Sequence, residues 1–332
     1  MSALDYSGPA PTWGERVALE DGVEWTRLPL PFKPGHINVY FLHGDDEAPF
    51  LLDTGYGNEE TSALWDATPS PRRVVVTHFH PDHIGQAAHL EAAGAELYIT
   101  RAEYAQARAL HALSGEQLGE SMGRFYAAHG VPYNTQMFGS GNGYRRSVPA
   151  LPDTPHWLDT ETLPFAPQWQ VSVASGHSPA HALLFRRDNP VLAAGDIVLP
   201  EITPNISVWP DAPEADPLGD YLAALEALRA LPADTLVLPA HGLPFRGLHE
   251  RLDQLTDHHA KQLERLRDAL DGKSATASSL MPQLFGRELQ PGSIPFALGE
   301  TLAHLHRLWR TGEIVREESV GCMYWKRASS GI

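Results

Sequence analysis

The sequence predicts an α/β fold over most of its length and a smaller helical module after it. Short β-branched strands alternate with helical stretches up to about residue 245, which is typical of layered α/β proteins. Residues 246–332 contain mainly amphipathic helical patterns and end in a short hairpin pattern. A length of 332 residues fits one large domain or two. We therefore predict two domains, residues 1–245 and residues 246–332.

The first third of the chain supplies the strands that lead to the most polar motif. "RRVVVT" is strongly β-branched, as in strands buried on both faces, and it runs directly into His78. A helix is expected to follow Pro81, because proline is favoured in the first helical turn. The elements predicted here are strands at Val23–Leu30, His36–Gly44, Phe50–Gly55, Arg72–Thr77 and Glu96–Thr100 and a helix at Asp82–Ala93.

Residues 101–155 are predicted to form a helical insertion with a loop. An alanine-rich helical pattern is followed by a stretch with many glycines and prolines, which is typical of a lid or pocket wall. The stretch Ala102–Leu113 and the loop offer apolar surface that suits an acyl group, although the same residues could simply cover the core. The loop residues in question are Tyr133, Met137, Phe138 and Tyr144.

The second half returns to strands and then becomes helical. Predicted strands lie at Gln168–Ser175, His181–Arg187, Pro190–Asp196 and Thr235–Ala240, with a helix at Pro217–Leu231. Leucines at helical spacing predict an amphipathic helix at Leu248–Leu270. Two more helices, Thr276–Phe285 and Phe296–Thr311, precede the hairpin. Helices followed by a small hairpin suggest a winged-helix-like module, which we expect to be removable after about Asp271.

Charge and cysteine content narrow the class of protein. The formal net charge is −16, and residues from Lys273 onward hold seven Lys and Arg against five Glu, so the preceding residues carry −18. Such an acidic surface argues against a nucleic-acid partner. Cys322 is the single cysteine, so no disulfide can form within the chain. With neither a signal-peptide pattern nor a long apolar run, we expect a cytoplasmic protein without membrane contact.

The motif "THFHPDH" predicts a metal site. It places His78, His80, Asp82 and His83 within six consecutive residues. Imidazoles crowded in this way would repel one another on protonation unless a cation held them together. A divalent metal ion is the simplest such cation, because imidazole and carboxylate groups are its common ligands.

Three further polar residues follow other predicted strands. His177 lies in "SGHSPAH", Asp196 in "AAGDIVL" and His241 in "LPAHG". Strand ends of α/β sheets meet at one edge, where sites form, so these side chains are expected to converge on the histidine motif. His36 and His181 are expected to make hydrogen bonds near that edge. The remaining histidines are expected at the surface or at helix ends.

With Asp53 in "LLDTGYG", these motifs resemble the metallo-β-lactamase superfamily in order and spacing over roughly residues 20–245. The resemblance implies an αββα sandwich with a dinuclear metal site at one edge. One metal would take His78, His80 and His177, and the other would take Asp82, His83 and His241. Asp196 would bridge the two, and Asp53 would orient a ligand from behind. Zinc is the expected metal, with iron or manganese as alternatives.

Asp196, the C-terminal tail and the single cysteine indicate which branches of the superfamily the chain resembles. Asp196 at the bridging position is similar to the thioesterase (glyoxalase II-like), lactonase and ribonuclease-like branches, and the tail looks like the winged-helix extension of one branch. The β-lactam-hydrolysing branch that uses a cysteine ligand is disfavoured, because Cys322 lies far from the ligands in the sequence.

The expected activity is hydrolysis by a metal-bridging hydroxide, with Asp82 moving a proton to the leaving group. A thioester or ester of a small acyl substrate is favoured. The alternatives are an endoribonuclease or phosphodiesterase, a lactonase, and a metal-binding protein without turnover. A purely structural zinc site is closed by four ligands, whereas seven ligands for two metals leave room for substrate. A homodimer is the remaining expectation about partners.

Overall fold

The computed structural model describes residues 4–44, 48–132, 142–286 and 289–328. The chain forms two compact units, each made of three segments. The first consists of Met1–Ala112, Tyr144–Pro204 and Leu228–Leu252, and the second of Leu113–Gly143, Asn205–Ala227 and Asp253–Ile332. The two domains predicted from the sequence, residues 1–245 and 246–332, have other boundaries than these units. The domain boundaries therefore stay a prediction.

The first unit contains two seven-stranded sheets. In spatial order, one sheet consists of β2 (Val17–Glu20), β3 (Val23–Pro29), β4 (His36–Leu42), β5 (Phe50–Leu52), β6 (Arg73–Val75), β7 (Glu96–Ile99) and β8 (His156–Trp157). The other consists of β1 (Asp5–Tyr6), β14 (Phe245–Arg246), β13 (Leu236–Pro239), β12 (Val191–Gly195), β11 (His181–Arg186), β10 (Ala166–Ala174) and β9 (Thr162–Leu163). The strands predicted from the sequence are therefore confirmed, most with shorter bounds.

Alternating side chains explain how one sheet is covered on both faces. In β4, Tyr40 and Leu42 belong to a cluster that also holds Leu184 and Leu236 of the other sheet. Ile37, Val39 and Phe41 belong to a second cluster, with residues of the helices that cover this sheet. Successive strand residues point to opposite faces, so β4, which is apolar without interruption from Val39 to Leu42, is buried on both sides.

The helices on the outer face are α1 (Glu59–Asp66), α2 (Pro81–Ile84), α3 (Ala87–Ala92), α4 (Arg101–Ala112) and α6 (Gly143–Ser147), and each contributes to the second cluster or packs against it. The predicted single helix Asp82–Ala93 is wrong, because the chain forms α2 and α3 instead. A Cβ at Gly85 would overlap the backbone of Gly57 and of Pro81. Only glycine permits this approach, which brings the histidine turn against the loop after β5.

The second unit contains α5 (Gly115–Ala128), α7 (Pro217–Leu228), most of α8 (Leu248–Ala269), α9 (Ala277–Phe285) and α10 (Ile294–Arg310). A three-stranded antiparallel sheet completes it, with β15 (Ser274–Thr276), β17 (Cys322–Arg327) and β16 (Ile314–Ser319) in spatial order. The mixed α/β fold with a C-terminal helical domain is confirmed. The winged-helix comparison stays a prediction.

Three histidines correct the expectation that those outside the motifs lie at the surface or at helix ends. His259, His304 and His306 are buried within α8 and α10, whereas His129 is the C-cap of α5, as expected for a helix end. Histidine is intermediate in its tendency to be buried, and these three positions lie on helix faces that pack. In the described part of the chain, no helix combines the length and the apolar character that a membrane crossing needs. The cytoplasmic location and the homodimer stay predictions.

Candidate metal centre

The histidine turn begins where β6 ends at the sheet edge. His78 is completely buried, and His80 has extended backbone angles at the N-cap of α2. Pro81 occupies the first turn of that helix, where its missing N–H costs nothing. The turn therefore directs His78 and His80 to one side, while α2 carries Asp82 and His83 immediately beside them.

His78, His80 and His177 form the first ligand group. His78 Nε2 lies 2.9 Å from His80 Nδ1, and His177 Nε2 lies 3.0 Å from His80 Nδ1 and 3.3 Å from His78 Nε2. Two nitrogen ligands of a tetrahedral zinc ion would stand about 3.4 Å apart, given Zn–N bonds of about 2.1 Å. The three nitrogens, 2.9–3.3 Å apart, lie slightly closer together than this, so a small outward shift would let them surround one small cation.

Asp82, His83 and His241 form the second ligand group, and Asp196 lies between the two groups. His241 Nε2 is 3.4 Å from Asp82 Oδ2, and His83 Nε2 is 3.9 Å from the same oxygen. Asp196 Oδ1 lies 3.5 Å from His241 Nε2, and Asp196 Oδ2 lies 3.3 Å from His177 Nε2. One carboxylate thus contacts both groups.

The polar atoms of the centre fit a bound cation. In each group the ligand atoms lie within 4.8 Å of one another, with Asp196 counted in the first group. Among the described residues, His83 Nε2 and Asp196 Oδ1 are buried without a hydrogen-bond partner. Leaving buried polar atoms unpaired costs about 1–3 kcal/mol each, so a metal ion at this point would remove a penalty.

The protonation states of His78 and His80 suit metal binding. Burial and the neighbouring His83 lower the pKa of His78 well below its ordinary value. Burial and His177 lower the pKa of His80 to about 3. Both rings are therefore neutral at physiological pH, and neutral imidazole is the form that binds a metal.

In and beside the second group, nearby carboxylates favour positive charge, as the pKa shifts of His83 and Asp196 show. Burial by itself would lower the pKa of His83, but Asp53 and the other nearby carboxylates raise it well above the ordinary value. Burial would raise the pKa of Asp196, but His241 and His83 hold it well below its usual range. The carboxylates thus retain protons on their histidine neighbours. Divalent metal ions could take over this charge, with release of the protons.

Asp53 orients His83 from behind. Asp53 Oδ1 accepts the Thr77 N–H at 2.8 Å, and His83 Nδ1 donates to Asp53 Oδ2 at 2.8 Å. With Nδ1 engaged, Nε2 is the atom of His83 that faces the centre. Asp53 has a left-handed φ of 62°, which is strained for a residue with a side chain. The structure therefore places Asp53 where it can act as predicted.

His241 is oriented by the backbone of β4. His241 Nδ1 donates to the His36 carbonyl oxygen at 2.8 Å, which leaves Nε2 to face Asp82 and Asp196. The ring of His36 accepts the Gly242 N–H on its Nε2 at 2.9 Å. Burial lowers the pKa of His36 to about 4, so the ring stays neutral and can accept. The hydrogen-bonding role expected for His36 is confirmed.

His181 supports the bridging carboxylate and packs behind His78. Its ring stacks on His78 with centroids 4.7 Å apart, and its Nε2 accepts the Asp196 N–H at 3.2 Å. A Cβ at Gly195 would overlap the His181 ring, and Gly195 has a φ of 49°. The hydrogen-bonding role expected for His181 is confirmed. The glycine before Asp196 is needed for this close contact.

Glu103 is a residue of the site that the sequence interpretation missed. It is completely buried on α4, and its carboxylate accepts hydrogen bonds from Phe79 and from the segment after His177. The sequence Thr100–Glu103, "TRAE", has the pattern of a capping box, in which the glutamate would bond to its own helix start. From the sequence, Glu103 is therefore interpreted as a helix-capping residue, and its hydrogen bonds to Phe79, Ser178 and Ala180 are not predicted.

The loop residues Tyr133, Met137 and Phe138 lie outside the described residues. Tyr144 is described, and it packs against Phe79 with ring centroids 6.2 Å apart. Its hydroxyl donates to the Phe79 carbonyl oxygen at 2.8 Å. The described end of the insertion therefore lies beside the histidine turn.

Two families of known proteins match the chain. Residues 32–241 match the family described as "Metallo-beta-lactamase superfamily", and residues 263–328 match "Metallo-beta-lactamase-like, C-terminal domain". All seven proposed ligands lie in the first match.

Several relatives resemble the whole chain. It is 26% identical over 321 residues to "Probable metallo-hydrolase YqjP" of Bacillus subtilis, covering 90% of this chain and 94% of the relative. A beta-lactamase domain protein from Burkholderia ambifaria is 36% identical, with a TM-score of 0.88 over 98% of this chain and 97% of that one. A metallo-beta-lactamase family protein from Thermus thermophilus is 29% identical, with a TM-score of 0.79 over 94% of this chain and 100% of that one.

Proposed function

Because the chain belongs to the metallo-beta-lactamase superfamily and is a metal-dependent hydrolase, we propose that it hydrolyses a thioester or ester of a small acyl substrate. One observation carries the two-metal hydrolytic centre on which this proposal rests: Asp196 contacts His177 of one ligand group and His241 of the other. A carboxylate shared in this way suits a pair of metal ions, and the remaining positions can serve water and substrate.

The candidate ligands can be assigned to two metal ions. His78, His80 and His177 would hold one ion, Asp82, His83 and His241 the other, and Asp196 both. Divalent ions bound there would supply Lewis acidity and lower the pKa of water towards about 7. The donor set brings only two carboxylates, Asp82 and Asp196, so the loaded site stays positive. A positive site favours reactions that build negative charge on a carbonyl oxygen.

Asp82 is the residue to which we assign a proton transfer. Burial raises its pKa, but His83 and His241 lower it further, so that the net shift is downward. Asp82 is therefore a carboxylate at neutral pH and can accept the proton that the attacking water loses. Passing this proton to the departing thiol or alcohol would complete the hydrolysis.

An acyl substrate is favoured over RNA for two reasons. The acidic charge of residues 1–272 would repel a long phosphate backbone. Tyr144 is half-buried against the buried Phe79, so the exposed part of its ring lies next to the histidine turn and suits an apolar acyl group. Zinc is the proposed metal, with iron and manganese as alternatives for the same nitrogen and oxygen ligands.

A substrate panel tests the proposal. The purified protein would be loaded separately with zinc, manganese and iron, its metal content measured by elemental analysis, and its turnover followed on acyl thioesters, simple esters, lactones, phosphodiesters and short RNA. We expect about two ions per chain and fastest turnover on a thioester or ester, lost on chelation and restored on reloading.

Other results of the panel would contradict the proposal in distinct ways. Fastest turnover on RNA or a phosphodiester would assign the protein to the ribonuclease-like alternative, and fastest turnover on a lactone would make it a lactonase. A fully loaded protein without turnover on any member would support metal binding without catalysis. A content of one ion or fewer would exclude the dinuclear centre.

A further inference from the structure

Two peptide groups join His78 to His80 through Phe79, and each is held by a side chain from the insertion. The Phe79 N–H donates to Glu103 Oε2 at 3.0 Å. The Phe79 carbonyl oxygen accepts the Tyr144 hydroxyl at 2.8 Å. The turn that presents two ligands of the first metal therefore cannot rotate without breaking these bonds.

The same carboxylate reaches the segment that carries the third ligand. Glu103 Oε1 accepts the Ser178 hydroxyl and the Ala180 N–H, each at 2.6 Å. Ser178 directly follows His177 in the chain. One side chain thus connects the two separate loops that supply His78, His80 and His177.

We propose that Glu103 is a positioning residue that ties the His78–His80 turn to the His177 loop and so sets the affinity of the first metal group. The inference depends on the metal centre and is independent of the acyl substrate. Residues that hold metal ligands from behind typically change metal affinity by about 10–100-fold when they are replaced.

The donor set requires a carboxylate in this position. The three bonds come from two backbone N–H groups and one hydroxyl, and Glu103 is completely buried. Both oxygens of a carboxylate accept, whereas glutamine has one accepting oxygen and one NH₂ group. In either amide orientation, Glu103→Gln would set its NH₂ against a backbone N–H, so one of the two loops would be released.

The second metal group has separate supports, which makes the effect selective. His83 is oriented by Asp53, and His241 is oriented by the His36 carbonyl group. Neither contact involves Glu103. Its replacement should therefore weaken one metal site and leave the other nearly unchanged.

Metal titration of the full chain tests this inference without a substrate. Metal-stripped wild type and Glu103→Gln would be titrated with zinc against a chromophoric chelator to obtain both dissociation constants. We expect one constant to rise about 10–100-fold and the other to change less than about threefold. Repeating the comparison in a His241→Ala background, where the second group has lost a ligand, would assign the weakened site to the first group.

Glu91→Gln is the matched control. Glu91 also accepts two backbone N–H groups and a hydroxyl, from Asp153 and Thr154, but it contacts none of the ligand loops in these bonds. Its replacement should leave both constants unchanged. Equal weakening of both sites in Glu103→Gln, or no change in either, would overturn the inference.

A smaller change keeps the test decisive if Glu103→Gln does not fold. Ser178→Ala removes one of the three donors and leaves the two backbone bonds in place. We expect a several-fold weakening of the first site only, measured in the same titration on protein with a wild-type circular dichroism spectrum. Unchanged constants in folded Ser178→Ala would overturn the inference. A substrate panel that fails while these constants shift would reject the proposed acyl substrate alone.

Discussion

At the scale of single residues, Asp196 joins the two halves of the centre. Its position depends on its neighbours as well as on its own charge, because the Asp196 N–H donates to the ring of His181. Its carboxylate oxygens face histidines of both ligand groups. The Asp196 N–H thus fixes the backbone against His181, whereas the Asp196 carboxylate contacts the ligand groups. A substitution that changes only the carboxylate can distinguish these two roles.

Replacing Asp196 by asparagine should remove the shared charge and preserve the fold. Asparagine keeps the shape and the N–H bond to His181. We expect the metal content to fall from two ions towards one and turnover of the best panel substrate to fall by more than about 100-fold, since replacing even an outer residue costs about 10–100-fold. Elemental analysis and steady-state rates at saturating metal would measure both.

Asp188→Asn is a suitable control for that experiment. Asp188 lies between β11 and β12 with 75% of its side chain exposed. It has the same charge change without the metal contacts, so wild-type metal content and rate are expected. If Asp196→Asn retains two ions and turnover within a few-fold of wild type, Asp196 only caps the loop after β12, where asparagine is equally suitable.

At the scale of elements, α8 and α10 share a buried histidine pair in the second unit. His259 Nδ1 lies 3.1 Å from His304 Nε2, and His304 Nδ1 donates to the Glu300 carbonyl oxygen at 2.8 Å. His304 Nε2 therefore accepts from His259. Burial and the neighbouring histidines lower the pKa of His259 to about 3, and burial lowers the pKa of His304 to about 4.

This pair predicts a loss of stability in mild acid. The unfolded chain takes up protons at the ordinary histidine pKa of about 6.5, whereas the folded pair stays neutral until pH falls to about 4. The contribution of the pair to the free energy of unfolding is therefore complete above about pH 6.5 and is lost as pH falls towards about 4. Urea unfolding of wild type at pH 7.5 and pH 5.0 would measure the change.

The double variant His259→Leu/His304→Leu isolates the pair from the other titrating groups. Replacing both partners by apolar groups can be nearly neutral at pH 7.5. The variant should lose less stability than wild type between pH 7.5 and 5.0. An identical loss in the two proteins would show that other histidines account for the acid sensitivity.

At the scale of the whole molecule, the second unit gathers three distant segments. The Ser278 N–H donates to the His129 carbonyl oxygen at 3.1 Å, and the Val208 N–H donates to the Gly299 carbonyl oxygen at 3.1 Å. His306 Nδ1 donates to the Ala215 carbonyl oxygen at 2.7 Å. The C-terminal segment thus completes the packing of Leu113–Gly143 and Asn205–Ala227.

Removing the chain after Asp271 should therefore give insoluble or aggregated protein, contrary to the expectation of a removable module. The deletion takes away α9, α10 and the three-stranded sheet, against which the two remaining segments make their bonds. Soluble yield and gel filtration would measure the outcome. Truncation after Ala328 is the control and should stay soluble. A soluble monomer ending at Asp271 that still binds two metals would contradict this prediction.

The sequence by itself determined the fold class, the strand pattern and the candidate ligands. Strands buried on both faces show continuous apolar runs, and dense histidine motifs stand out because few structures other than a metal site tolerate them. The strand His36–Leu42 and the cluster from His78 to His83 are both local in the chain. Short-range patterns of this kind can be interpreted without coordinates.

Only the tertiary structure decided which distant groups support those ligands. The contacts of Glu103 with Ser178 and Ala180 cross more than seventy residues, and the local sequence around Glu103 indicates nothing beyond a helix start. The close approach of Gly57 to Gly85 likewise joins two segments that are separate in the chain. Contacts between segments far apart in the chain depend on how the strands and helices pack, and hydrophobic periodicity does not encode that packing.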